Sequence, residues 1–217
     1  MLNYRFFTRV TVAAIISVGV AFANINIPVV NQSFETISAG LPSPCGLGCS
    51  YSSGSIPGWT ITGGGGQFQP GFQMGNTTYF GGAASDGTIT SAYSTGGVIS
   101  QTVGSTVQVG AIYTLLVDIG NRYDTSPAGT ADLLINGTKY TAIGTVAAEG
   151  GWSIYTASYT GLFADAGQAI TIELNSSGSQ GNYDNVQLSA TPEPGFYGLL
   201  TLGISGLAFA VNRRRKA

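Results

Sequence analysis

The stretch Ile112-Tyr113-Thr114-Leu115-Leu116-Val117-Asp118-Ile119-Gly120 decides the fold class. Tyr113, Leu115, Val117 and Ile119 recur at every second position, with Thr114 and Asp118 between them. Successive side chains of a strand point to opposite faces, so the pattern predicts a strand with one apolar and one polar face. The pattern recurs downstream. Ile170, Ile172 and Leu174 alternate with Thr171 and Glu173, and Val186 and Leu188 alternate with Asn185, Gln187 and Ser189. Further strands are expected over 25–31, 55–61, 97–103, 130–136, 138–143 and 152–160. Asn136-Gly137 between two of them is the dipeptide that a type I′ hairpin turn favours. The glycine run 63–66 and the Ser/Gly-rich 50–55 read as loops. No long stretch carries a 3.6-residue apolar period. Many short strands with turn punctuation predict an all-β sandwich or jelly roll.

The two ends have a different character. Arg5 and Arg9 precede an apolar run over 10–22, and Ala21-Phe22-Ala23 is an A-x-A cleavage site that leaves Asn24 as the new amino terminus. Residues 1–23 are therefore expected to be a signal peptide. At the other end, Pro192-Glu193-Pro194 precedes an uncharged apolar run over 195–211, followed by Arg213, Arg214, Arg215 and Lys216. Two prolines so close together cannot sit inside one helix. The apolar run would span about 25 Å as a helix at roughly 1.5 Å per residue. That is marginal for a hydrocarbon core of about 30 Å, and the cations behind it would stop transfer. This pattern resembles the PEP-CTERM sorting signal of bacteria that make exopolysaccharide. The resemblance implies an exosortase-type membrane protease as partner. It also implies an inner-membrane-anchored precursor that passes to the cell surface or the extracellular matrix. The expected organisation is signal peptide 1–23, sandwich domain 24–190 and sorting segment 191–217 with a transmembrane helix over 195–211.

Composition narrows the chemistry. Between the two ends only Arg122 and Lys139 are basic, against nine acids. A domain so acidic lacks the clustered cations that phosphate binding needs, so nucleic acid is not an expected partner. Cys45 and Cys49 are the only cysteines. In an exported chain they read as a disulfide closing a small loop, with a redox pair or half a metal site as the alternatives. The chain has no histidine, so a Ser or Cys hydrolase would lack its usual base. No carboxylate pair is singled out by spacing, and the expectation is that the domain is not an enzyme.

A second resemblance covers the central domain. Asn31-Gln32-Ser33-Phe34-Glu35, Ile56-Pro57-Gly58-Trp59, Ile99-Ser100-Gln101-Thr102-Val103 and Tyr183-Asp184-Asn185-Val186 are similar to segments of galactose-binding-like β-sandwiches, the fold of many carbohydrate-binding modules. The resemblance implies a structural Ca2+ held by Glu35 and Asp184. Sugar recognition needs an aromatic face with a few polar groups beside it. Phe68, Phe72, Tyr79 and Tyr123, with Asn121 and Arg122, are the candidates. Trp59 and Trp152 are expected in the core, and a salt bridge from Arg122 to Asp118 or Asp124 is the commoner use of that arginine. The expected function is non-catalytic, binding or organising exopolysaccharide, with a structural surface-coat or adhesion domain as the alternative and a glycan-active enzyme as the third reading.

Overall fold

Tyr113, Leu115, Val117 and Ile119 are all buried, and the strand that carries them pairs on both sides. The computed structural model describes residues 24–37, 40–46, 48–70, 79–87, 90–192 and 203–206. The strands, in chain order, are β1 (Ile25–Ile27), β2 (Ser43–Gly46), β3 (Cys49–Ser53), β4 (Thr60–Pro70), β5 (Ser91–Thr106) and β6 (Ile112–Asn121). They continue with β7 (Gly129–Ile135), β8 (Thr138–Thr141), β9 (Gly151–Thr160), β10 (Ala169–Ser176) and β11 (Gln180–Thr191). One 3-10 turn, Phe163–Asp165, precedes β10. All pairings are antiparallel.

The strands form a β-sandwich held together by β5. Its residues Ala92–Thr95 pair with β11, and its second half pairs with β10. The front layer runs β2-β3-β4-β5-β11-β6-β9, and the back layer runs from β5 through β10 and β7 to β8. The inner faces meet in one core, where Leu115 and Val117 of the front join Leu133, Ile135, Ile172 and Leu174 of the back. Burial of such side chains from water is the main force for this arrangement, at roughly 25 cal/mol per Å² of apolar area. Phe34 and Trp59 close one end, with ring centroids 5.3 Å apart. Residues 23–193 form one compact unit.

The Asn136-Gly137 turn forms as the sequence predicts, with φ of 47° and 77° at the two residues. Two expected loops are strands instead. Residues 50–53 belong to β3, and the glycine run 63–66 lies inside β4. Close approach explains the glycines. A Cβ on Gly66 would fall on the Ser52 carbonyl oxygen, and one on Gly65 would lie 2.8 Å from the Tyr93 carbonyl oxygen. The run is a strand wedged between two others, and side chains there have no room.

The expected signal peptide, the residues Glu193 and Pro194, the apolar run 195–211 and the basic tail lie outside the described residues, apart from Pro192 and an exposed helical turn at 203–206. Among the described residues no helix is long and apolar enough to cross a membrane. Of the helices expected to flank the sandwich, only that turn at 203–206 falls among the described residues.

Gly66→Ala should lower unfolding free energy by about 1–3 kcal/mol, the usual cost of forcing atoms into a packed site. Gly82→Ala, where nothing lies within 4 Å of the added carbon, should be within about 0.5 kcal/mol of the parent. Urea unfolding of the two variants checks this.

Candidate functional site: an aromatic box beside a buried acidic cluster

Strand alternation assembles a box on the outer face of the front layer. Tyr51 of β3 is paired with Phe68 of β4, and Tyr93 of β5 is paired with Asn182 of β11. These side chains share one face, together with Gln180 two residues before Asn182. Tyr79 joins them from the loop ahead of β5, and Arg122 follows the last residue of β6. The Tyr123 N–H donates to the Tyr79 carbonyl at 3.1 Å, which ties that loop to the arginine.

Tyr51, Phe68, Tyr79, Tyr93, Arg122 and Gln180, with Cys45, line a cavity of about 210 Å³. Phe68 and Tyr79 meet edge to face at 5.4 Å, and Tyr51 and Tyr93 do so at 6.4 Å. The Arg122 guanidinium lies 4.4 Å from the Tyr79 ring centre and 5.4 Å from that of Phe68. It donates to Asp124 through Nε at 2.8 Å and Nη2 at 2.6 Å. The Tyr79 hydroxyl donates to the Cys45 carbonyl at 2.9 Å, and that of Tyr93 donates to Ser52 O at 3.2 Å. Burial first, and Tyr51 second, raise the Tyr93 phenol above its ordinary pKa. Gln180 Nε2 donates to Asn182 Oδ1 at 2.9 Å, while the buried Asn182 Nδ2 has no hydrogen-bond partner among the described residues. The expected Cys45–Cys49 disulfide is formed, and it walls one side of the box.

The sequence candidates divide. Phe68, Tyr79 and Arg122 meet in the box. Asn121 is buried and donates from Nδ2 to the Ala147 carbonyl at 2.8 Å. Tyr123 packs over Gly81 and Gly150, outside the box, and Phe72 lies outside the described residues. Trp59 is in the core, and Trp152 stacks on Phe80 at 4.5 Å. Tyr51, Tyr93 and Gln180 were not among the candidates. Only the pairing of distant strands brings them together.

The second cluster sits where β11 bulges between Asp184 and Gln187, with Asn185 at φ 47°. Asp184 is paired in register with Asp118, and each is 1% exposed. Asp118 Oδ2 accepts from the Ser85 N–H at 2.8 Å and its hydroxyl at 2.5 Å. Glu35 accepts from the Thr90 N–H at 2.6 Å. Burial pushes Asp184 up to about 9, with the charges of Asp86, Glu35 and Asp118 adding to it and the Asn185 N–H opposing. Thus Glu35 and Asp184, the two expected calcium ligands, lie within one electrostatic cluster. Among the described residues no three acidic side chains converge into a preformed metal-binding group. A larger, open cavity of about 550 Å³ borders this cluster, between Ser85 and Asp118 on one side and Trp152 on the other.

A family model described as HpiC1-like, HpiC1 cyclase, matches residues 25–189, and the chain belongs to that family. Solved structures of cyclases from Fischerella are similar. An apo form is 22% identical, with a TM-score of 0.64 over 78% of this chain and 98% of that one. A Stig cyclase from Fischerella sp. TAU in complex with (3Z)-3-(1-methyl-2-pyrrolidinylidene)-3H-indole is 21% identical, with a TM-score of 0.63 over 79% and 100%. A cyclase from the same source in complex with 4-(1H-indol-3-yl)butan-2-one is 22% identical, with a TM-score of 0.61 over 78% and 98%. No curated protein matches the chain.

Three expectations change. The sandwich stands, but a cyclase family replaces both the non-catalytic, exopolysaccharide-binding function and the expectation that the domain is not an enzyme. The physical reason is that one β-sandwich can serve binding modules and enzymes alike, so the segments that suggested sugar binding mark the fold and not the chemistry. The inner-membrane-anchored localisation, with its PEP-CTERM and transmembrane features, is withdrawn as well. The match is to a cyclase family, and among the described residues no helix is long and apolar enough to cross a membrane.

Asp184 also fixes a sign for pH dependence. Its folded pKa of about 9 lies above the unfolded 3.8, so the metal-free folded state binds the extra proton. Its contribution to stability is full below pH 4 and declines as pH rises from about 4 to about 9. Unfolding of EDTA-treated protein across that window should show this decline, and Asp184→Asn should remove it.

Proposed function

We propose that this member of the HpiC1-like family is a cyclase that takes a small, flat heteroaromatic substrate into the box of Tyr51, Phe68, Tyr79 and Tyr93. The observation that carries the reading is the box itself. Four aromatic side chains, one amide and one guanidinium surround about 210 Å³. That volume suits a single bicyclic ring with a short arm, and aromatic walls favour offset or edge-on contact with such a ring. The Fischerella cyclases with indole-bearing ligands share the fold, which supports the same ligand class here.

Cyclisation joins two parts of one molecule, so much of the barrier is the entropy of bringing them together. A box that holds the ring and folds its arm back supplies that positioning and excludes water. The Tyr faces favour positive charge that develops on the substrate, and the Gln180 amide and the Arg122 N–H groups can orient an acceptor oxygen.

Calcium belongs to the same proposal. Glu35, Asp86, Asp118 and Asp184 offer hard oxygen donors, and the field that holds a proton on Asp184 would equally hold a cation. The ion's part is structural: it would fix the β11 bulge next to the box, with backbone carbonyls and water completing its shell. EDTA should lower the melting temperature and added Ca2+ should restore it, with a gain in unfolding free energy of about 2.7 kcal/mol at one hundred times its Kd. A melt unchanged after verified metal removal speaks against the ion.

The site is tested by titrating 4-(1H-indol-3-yl)butan-2-one and following tyrosine and tryptophan fluorescence. Phe68→Ala and Tyr79→Ala should each weaken binding about tenfold or more, the range for a buried aromatic anchor. Tyr123→Ala should change it less than about twofold. Equal affinity in all three would place the ligand elsewhere.

A further inference from the structure

We infer that the box selects an aromatic ligand that carries a carboxylate, with Arg122 as its anchor and Asp124 as an internal stand-in for the ligand. This rests on the box being the ligand site. The arginine is the only one between residues 24 and 191, and its side chain is 10% exposed while lining the cavity. Stacking against Tyr79 and Phe68 holds the guanidinium plane in place. The two parallel bonds to Asp124, 2.8 and 2.6 Å, are the fork geometry with which a guanidinium takes a carboxylate.

The occupant of that fork is poorly held. The Asp124 side chain is 45% exposed, at the rim, where an ion pair is solvated and screened. A ligand whose ring is already in the box can present its own carboxylate to Arg122 and release Asp124 to water with no net change in paired charge. A cationic ligand meets the reverse. Arg122 already covers the Phe68 and Tyr79 faces, which leaves only those of Tyr51 and Tyr93 to attract it, and like charges repel. No other charged side chain lines the cavity among the described residues.

Three indole probes of similar size test this on the full chain by calorimetric titration: indole-3-butanoate, the neutral 4-(1H-indol-3-yl)butan-2-one, and the cation tryptamine. The carboxylate should bind about tenfold or more tighter than the ketone, and tryptamine weakest. Asp124→Asn removes the competitor and should widen the ratio of carboxylate to ketone affinity several-fold. Arg122→Gln should bring that ratio to about one. Asp124 is exposed, so its variant carries the test even if Arg122→Gln folds poorly. Carboxylate and ketone binding equally, or a ratio that Asp124→Asn leaves unmoved, overturns the anchor while the aromatic site stands. No binding of any probe by folded protein sinks both.

Discussion

The pairing of β11 with β6 along its length, and with β5 over its first four residues, is the constraint on which both clusters depend. It places Asn182 opposite Tyr93 on one side and Gly120 on the other. Because neighbours on a strand face opposite ways, Tyr183 then enters the core while Gln180, Asn182 and Asp184 face outward. A slip of one residue would send Asp184 into the apolar core and Tyr183 to the surface. The core therefore fixes the site, and no separate scaffold is needed.

The outer face is unusual in how little of it is wetted. Phe68, Phe80 and Tyr93 form a second apolar cluster there with Cys49. Most outward faces of antiparallel sheets alternate to polar residues. Here the outer face carries an aromatic box and, a few residues along β11, a buried carboxylate cluster. Burial sharpens both: it raises the Tyr93 phenol above its ordinary pKa, and it raises Asp184 into a range where protonation competes with a cation. The disulfide acts on the same region, since it closes the β2–β3 hairpin that walls the box.

The local parts of this arrangement were legible in the sequence. Alternation in 112–120 marked a strand, Asn136-Gly137 marked the β7–β8 turn, and Cys45 with Cys49 marked the staple. The glycines of β4 were not, because glycine signals both loops and strands pressed by neighbours, and only the adjacent backbone distinguishes them. Phe68, Tyr79 and Arg122 stood out as aromatics and a lone arginine, but Tyr51, Tyr93 and Gln180 come into the box only through pairings across 17 to 89 positions. Function was the least legible. Binding modules and cyclases can share one sandwich, and the conspicuous tail pointed toward sorting and sugar.

The most direct measurement is a crystal structure of the protein with 4-(1H-indol-3-yl)butan-2-one. The account predicts the indole between Tyr79 and Tyr93, its arm directed to Arg122 and Gln180. Density in the open cavity between Asp118 and Trp152 instead, with the aromatic box empty, would contradict it.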